Sequence, residues 1–311
     1  MAYRIYKGDT PLIQQPKIGN LNFGRAYVGN QLAYGAAPIV LLLDAYPGAV
    51  GGYSLRKLKT DYSGNAITVR RSSDSNTQDI GFDDNGDLDT TALDSFCSGA
   101  DGFVTTWYNQ GVEGQNATQP TAGEQPKIYD SSTGVIVDSS TGKPTIQFDG
   151  STDSLDIPSL FSSQPDVSTY VVGNSRNEVN GRFVAYNQDD IYFRIEVESA
   201  GYNWRFVARQ VGGSEPQITS ATSNTTYSLI EFYINQSGTN QAYLNNSSQG
   251  TIAFGDSETT TLGPNARIGS NRNDSANFLD GYVQEVILYP SSQQSNRTGI
   301  TSDINTYYSI Y

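Results

Sequence analysis

Two glutamates near the middle of the chain have the spacing that hydrolysis of a glycosidic bond requires. Glu196 and Glu198 alternate with Ile195 and Val197, so a β-strand would place both carboxylates on one face, about 7 Å apart. Glycosidic bonds are hydrolysed by two carboxyl groups roughly 5 to 10 Å apart, one as nucleophile or base and one as acid. The same alternation is typical of any half-exposed strand. The pattern therefore predicts either candidate nucleophiles or a strand surface without chemistry.

The residues that most other enzyme classes need are missing from the sequence. The chain has no histidine and one cysteine, Cys97. This excludes the commonest general base and metal ligand, and every Ser-His or Cys-His nucleophile pair. It also excludes an internal disulfide and a multi-cysteine zinc site, and we predict that Cys97 is a small buried packing residue.

Several segments carry the groups that bind carbohydrate. Sugar sites combine an aromatic ring, which covers the apolar face of the sugar, with amide and carboxylate side chains that satisfy its hydroxyls. Trp204 also begins an alternating strand with Phe206, which is equally the pattern of a core residue. The candidate carbohydrate-binding residues are Tyr202, Asn203 and Trp204 in one segment, Asn271 and Asp274 in a late loop, and Tyr108 and Asn109 after a predicted strand.

An acidic segment before a predicted helix resembles half of a calcium loop. Its oxygen ligands would be Asp83, Asn85, Asp87 and Asp89, at alternate positions around a glycine. The twelfth position holds Asp94 instead of the bidentate glutamate of such loops. A turn followed by a helix cap explains the same residues without a metal. We predict no metal site and no cofactor, with calcium at this segment as the alternative.

The elements that must position these residues are mostly β-strands. From residue 126 onward nearly every apolar run has the length of a strand, and polar turns separate the runs. This pattern predicts an all-β sandwich or barrel. The best helix is predicted at 89–97, where an Asp or Thr cap precedes apolar residues. Strand-sized runs include 145–148, 191–197, 203–208, 227–234 and 281–289.

The first residues of the chain differ from the rest. Residues 17–34 contain short alternating strands separated by Gly-Asn turns, which predict a hairpin unit. Because an isolated hairpin is marginally stable in water, we expect this unit to pack either on the main domain or on another protein, and we favour another protein. The predicted domains are an N-terminal β attachment region, 1–44, and a sandwich, 45–311.

Charge and hydropathy limit the partners. The formal charge of −13 disfavours nucleic acid and anionic membranes as partners. The N-terminus lacks the apolar core of a signal peptide, and the longest apolar stretch, 36–43, is too short to span a bilayer. We therefore expect synthesis in a cytoplasm and no membrane insertion.

Several motifs resemble known families. The segments 53–58, 67–74, 101–110 and 125–128 resemble the N-terminal part of the catalytic domain of α-L-arabinofuranosidase B. The segments 266–270 and 278–289 resemble the closing strands of laminin-G and concanavalin-A-like domains. The resemblance spans roughly residues 45 to 311. It implies a concanavalin-A-like jelly-roll sandwich.

The same resemblance implies a retaining sugar-removing mechanism with a glutamate nucleophile and an aspartate acid/base. The chain departs from that pattern at three points. The family's vicinal cysteine pair has no counterpart beside Cys97, Asn109 replaces an aspartate of a turn, and the acid/base position falls near Asn271. An amide cannot donate and recover a proton as a carboxyl group does. We therefore predict no catalytic residues and no enzymatic activity.

The segments 17–34 and 289–308 are also similar to modules of tail-associated proteins of tailed bacteriophages. This resemblance implies a virion protein of the tail, as a fibre, tip or baseplate accessory. Residues 1–44 would dock to other tail proteins, and the sandwich would bind a host-surface glycan. The implied location is the virion after synthesis in the host cytoplasm, and a homo-oligomer is expected. The alternative is an active glycoside hydrolase of arabinofuranosidase type, with Glu196 or Glu198 as nucleophile.

Overall fold

The computed structural model divides the chain into two units, Met1–Val40 and Leu41–Tyr311. The sequence prediction put this boundary at 44 and 45. The residues that the structure describes are 17–18, 21–22, 25–28, 31–35, 40–158, 160–161, 166–176, 181–188, 191–198, 203–209, 215–223, 225–235, 238–253, 265–271 and 277–311.

The first unit contains two antiparallel hairpins. Strand β1 (Lys17–Ile18) pairs with β2 (Leu21–Asn22), and β3 (Arg25–Val28) pairs with β4 (Gln31–Gly35). The prediction of short hairpin strands in 17–34 is therefore confirmed. The attachment role of this region stays a prediction.

The second unit is built mainly from short strands. Its α-helices in the described residues are α1 (Leu42–Ala45), α2 (Thr90–Cys97) and α3 (Arg297–Tyr308), and short 3-10 helices span Ala122–Glu124 and Gln294–Asn296. None of the helices among these residues is long and apolar enough to cross a membrane. Its strands are β5 (Gly51–Ser54), β6 (Ile67–Arg71), β7 (Thr77–Ile80), β8 (Gly102–Trp107), β9 (Ala117–Thr118), β10 (Lys127–Asp130), β11 (Gly134–Val135), β12 (Ile146–Asp149), β13 (Leu155–Ile157), β14 (Asp166–Ser175), β15 (Gly181–Gln188), β16 (Ile191–Glu198), β17 (Asn203–Arg209), β18 (Gln217–Ser223), β19 (Ser228–Asn235), β20 (Thr239–Leu244), β21 (Ser247–Ala253), β22 (Ala266–Ile268) and β23 (Asp280–Tyr289).

These strands form two antiparallel layers. The first sheet runs β21–β20–β19–β14–β23, and β5 and β12 both pair with the other side of β23. The second sheet runs β7–β6–β8–β9–β13–β22–β15–β16–β17–β18. Strand β10 joins the layers because it pairs with both β8 and β12. The architecture confirms the predicted all-β, jelly-roll-like sandwich.

The main core lies between the two sheets. Alternate residues of each strand point inward, and Trp107, Phe183, Trp204 and Phe232 are fully buried in one cluster. Burial of such large side chains from water supplies most of the driving force for this packing.

A second apolar cluster covers the outer face of the first sheet. Ile300 and Ile304 of α3 belong to it together with Tyr170 and Tyr289 of the sheet. Helix α3 was not predicted, because its sequence is rich in Thr, Asn, Ser and Gly, which are poor helix formers. Helix α2 confirms the helix predicted at 89–97, and the Asp89 side chain accepts a hydrogen bond from the Ala92 N–H. Helix α3 thus covers the outer face of the first sheet. The cluster of charged side chains described next lies on the outer face of the second sheet.

Candidate functional site

Glu196 lies at the centre of an arginine cluster on the outer face of the second sheet. Arg182 on β15 and Arg205 on β17 are its cross-strand neighbours, and Arg194 precedes it by two residues on β16. Cross-strand neighbours and residues two apart share a face. The register of three strands therefore directs three guanidinium groups toward one carboxylate, while Ile195 enters the core.

The carboxylate of Glu196 is fixed by charge-assisted hydrogen bonds. Its Oε2 accepts from Arg182 Nε at 3.1 Å and from Arg194 Nε at 2.6 Å, and its Oε1 lies 2.5 Å from Arg205 Nη2. Glu196 is 5% exposed. Buried charges are tolerated only when they are paired in this way. Of the three arginine side chains, that of Arg205 is the most exposed.

Glu215 brings a second carboxylate to the same cluster. Arg194 Nη2 lies 3.4 Å from Glu215 Oε2, while Arg194 Nε binds Glu196. Because one rigid guanidinium links them, the bonded oxygens of the two carboxylates are at most roughly 8 Å apart. The side chain of Glu215 is 39% exposed, against 7% for Glu196. Glu215 was not predicted from the sequence, where its only signal is a lone acid in a Gly-Gly-Ser-Glu-Pro segment.

Glu198, the predicted partner of Glu196, lies two residues further along β16. The backbone of Glu198 lies opposite Asn203, which is partly buried. The side chain of Glu198 lies outside the described residues, as do Tyr202 and Asp274. Among the described side chains, Glu215 places a second carboxylate on the arginine that binds Glu196, and it comes from a different segment.

Trp204 is a core residue, which corrects its prediction as a sugar platform. Its side chain is completely buried and packs on Phe183, with 4.7 Å between the ring centroids. The alternation of β17 sends Trp204 and Phe206 inward and Arg205 outward. A ring without exposed surface cannot cover a sugar.

Asn109 holds the backbone of neighbouring segments together. Its Oδ1 accepts the N–H groups of Gly52 and Gly111, and its Nδ2 donates to the Val50 carbonyl. Both lone pairs of Oδ1 and one of the two Nδ2 hydrogens are therefore engaged, and the residue is 5% exposed. These bonds give Asn109 a structural role.

Tyr108 and Asn271 are partly exposed, and the structure places them in separate surroundings. The Tyr108 hydroxyl lies 3.0 Å from Thr68 Oγ1 and 3.2 Å from Asp79 Oδ1. The Asn271 carbonyl accepts from Arg267 Nη1 at 3.2 Å. The carbohydrate-binding candidates thus do not converge on one pocket, and their binding role stays a prediction.

The predicted calcium segment forms a turn with internal bonds. Asp83 Oδ1 accepts the N–H groups of Asn85 and Asp87, and Asp89 caps α2. Asp87 also contacts Lys143 at 3.3 Å. Within the described ranges no group of three or more acidic or cysteine side chains is arranged to hold a metal ion. Asp83 and Asp87 line a cleft of about 470 Å³ with Lys143.

Comparison with known proteins points to one family. Residues 46–150 match the family model described as alpha-L-arabinofuranosidase B, catalytic. No curated protein sequence matches the chain. The chain is similar to a solved GH54 α-L-arabinofuranosidase soaked with a cyclic sulfate inhibitor, and to an arabinofuranosidase complexed with arabinofuranosyl-α-1,2-xylobiose. Each match has 16% identity, a TM-score of 0.63, and coverage of 86% of this chain and 64% of that chain.

A third similar structure is a glutamate-to-glutamine mutant of a GH54 α-L-arabinofuranosidase soaked with 4-nitrophenyl α-L-arabinofuranoside, at 15% identity and TM-score 0.63. At such identities the likeness shows a shared fold. The chain spans 64% of the length of these arabinofuranosidase chains. The family match ends before Glu196.

These matches correct two predictions. The comparisons point to a glycoside hydrolase family and give no support to a phage virion protein, so the predictions of a tail protein and of a non-enzyme are wrong. The prediction of a non-enzyme rested on the lone Cys97 and on amides at Asn109 and Asn271, and the prediction of a tail protein rested on short motifs in 17–34 and 289–308. The predicted location in the virion was derived from the tail-protein interpretation, and no observation supports it independently. Homo-oligomerisation and glycan binding stay predictions.

Proposed function

We propose that the chain is a glycoside hydrolase that removes α-L-arabinofuranosyl groups, with Glu196 and Glu215 as its two carboxyl groups. The observation that carries the proposal is their shared bond to Arg194 on the outer face of the second sheet. Their separation of at most roughly 8 Å fits the range in which two carboxyl groups act on one glycosidic bond. The arabinofuranosidase likeness of the fold supports this choice of substrate.

The surroundings of the two carboxylates suit different roles. Glu196 is held by Arg182, Arg194 and Arg205, which keep a negative charge in place either to attack the anomeric carbon or to activate the attacking water. Arg205 is the most exposed of these partners, so its displacement by substrate would release Oε1. Glu215 is the more exposed carboxyl; once substrate separates it from Arg194, it takes a proton from solvent and passes that proton to the departing oxygen. Glu215 would thus take the acid/base role that the resemblance assigns to a position near Asn271, where an amide cannot donate a proton.

The test is hydrolysis of 4-nitrophenyl α-L-arabinofuranoside and of an arabinoside with a poorer leaving group. Glu196→Gln should abolish turnover of both. Glu215→Gln should lower kcat/KM about 10²–10⁴-fold on the poor leaving group and much less on 4-nitrophenol, which departs with little protonation. Glu124→Gln, an exposed glutamate in the turn before β10, is the control and should retain activity.

The stereochemistry of the product tests the spacing. Carboxyl groups about 5 to 5.5 Å apart give retention, whereas about 6.5 to 9.5 Å gives inversion. Nuclear magnetic resonance of the first arabinose released gives its anomeric configuration and therefore distinguishes these two ranges of separation for Glu196 and Glu215. Absence of turnover by the unmodified protein on any arabinofuranoside would overturn the proposal.

A further inference from the structure

A row of polar side chains crosses the outer face of the second sheet in register. Asp79 lies opposite Thr68, Thr68 opposite Thr106, and Thr106 opposite Thr118. Thr118 lies opposite Asp156, and Asp156 opposite Arg267. Directly opposed residues of antiparallel strands project from the same face. The row therefore runs across six strands, over a length of roughly 24 Å.

The side chains of the row face solvent, while their neighbours along each strand are buried in the core. Asp79 is exposed and the other five residues are partly exposed. Their strand neighbours Ile67, Trp107, Ala117 and Leu155 are fully buried in the core. The backbone beneath the row is thus rigid, and one polar side chain is presented at each strand.

The chemistry of the row suits hydroxyl groups of a neutral ligand. Three threonine hydroxyls both donate and accept hydrogen bonds. The one cation of the row, Arg267, is held by Asp156 through two bonds of 2.6 and 3.0 Å, so these charges balance. At one end, the hydroxyls of Thr68 and Tyr108 contact Asp79, adding an aromatic group. In a chain of net charge −13, a row with so little excess charge favours a neutral sugar polymer over an ionic one.

The row also leads to the proposed catalytic cluster. Arg267 lies opposite Ala185, and Ala185 lies opposite Arg194, the arginine that links Glu196 and Glu215. The strand spacing of about 4.8 Å is close to the length of one sugar residue in an extended polysaccharide. A polymer lying across the strands would meet one polar group per strand from β7 to β22, and one strand, β15 with the buried Ala185, separates the end of the row from Arg194.

We infer that this row is a binding surface for an extended neutral polysaccharide, which carries the arabinofuranosyl groups that Glu196 and Glu215 release. This inference rests on the proposed function for its link to catalysis. It makes the substrate a polymer with contacts far from the cleaved bond, rather than a short arabinoside held at the cluster alone.

The test compares two substrates on one protein preparation. Thr106→Arg, in the middle of the row, should lower kcat/KM on a soluble arabinose-substituted xylan at least tenfold more than on 4-nitrophenyl α-L-arabinofuranoside. Because the ratio of the two activities is measured, a lower folded fraction cancels. Gln147→Arg is the matched control on β12, where the side chain is likewise partly exposed, and it should leave the ratio unchanged.

Binding without turnover gives a second readout. The unmodified protein should be retarded in native gels that contain the same xylan, and Thr106→Arg should remove most of the retardation. An unmodified protein that cleaves the aryl arabinoside but shows neither retardation nor a changed ratio in Thr106→Arg overturns the inference and leaves the proposed function standing. Retardation that Thr106→Arg removes, with no turnover of either substrate, overturns the proposed function and supports the row as a binding surface.

Discussion

Glu196 and Glu215 bind different nitrogens of the same guanidinium group, that of Arg194. The carboxylate of Glu196 is buried and that of Glu215 is exposed, so Arg194 forms ion pairs with one buried and one surface carboxylate. Replacing Arg194 would affect stability as well as any chemistry, since the charge of Glu196 would lose one of its partners.

Arg194→Met is expected to lower the free energy of unfolding by about 3 kcal/mol, the lower end of the cost of breaking a buried ion pair, because Arg182 and Arg205 remain. Urea denaturation measures the change. The control is Lys59→Met, whose pair with Asp61 is exposed and should change stability by less than about 1 kcal/mol. Equal effects of both variants would show that the cluster does not bear on stability.

The docking of α3 depends on a second buried pair. Glu231 is fully buried and accepts two bonds from Arg297, at 2.8 and 2.9 Å. Burial raises the pKa of Glu231, and the bonds from Arg297 oppose that rise. Arg297→Leu should leave this carboxyl unpaired and should speed hydrogen exchange of the α3 amides. Exchange that stays as slow as in the unmodified protein would contradict the prediction. The control is Arg71→Leu, at a partly exposed pair with Asp74 that lies outside α3.

Stability should depend on pH through Asp153. Burial, followed by the neighbouring charge of Asp149, raises the pKa of Asp153 from 3.8 to about 7. Between about pH 4 and 7 the unfolded chain loses this proton while the folded protein keeps it. The contribution of Asp153 to stability therefore falls as pH rises through that window and is constant above it.

Asp153→Asn should remove this fall, so the variant gains stability relative to the unmodified protein as pH rises from 4 to 7. Urea denaturation at several pH values measures the difference between the two proteins, which cancels the other carboxyl groups. Asp61→Asn, with a side chain 73% exposed, should show a difference that does not change over the same window. A flat difference for Asp153→Asn would contradict the assignment.

The turn after β22 requires a glycine. Gly269 has φ of +92°, and an added Cβ would collide with the ring of Phe148. Gly269→Ala should therefore cost about 1 to 3 kcal/mol in backbone strain, with a further loss from the collision, and thermal unfolding measures the total. Gly99→Ala has a similar φ, +79°, but open space around the added atom, so it should show the strain alone. A larger loss of stability in Gly99→Ala than in Gly269→Ala would contradict the predicted collision with Phe148.

The sequence predicted local structure well where local patterns decide it. Alternation along β16 and β17, and the cap formed by Asp89, follow from neighbours in the chain, and both were predictable. The cluster around Glu196 was not, because Arg182 and Arg205 reach it through the register of three strands, and Glu215 reaches it from a loop. Trp204 shows the same limit, since alternation gives two faces without saying which one is buried.

The position of β23 has a consequence for how the chain folds. This strand is an inner strand of the first sheet, between β14 and β5, and the bond from Ser54 to Glu285 joins residues 231 positions apart. The sheet thus cannot be completed until β23 has been synthesised. Such long-range pairing makes folding slow, so the partly made chain holds unpaired strand edges for much of its synthesis and is expected to need protection from aggregation during that time.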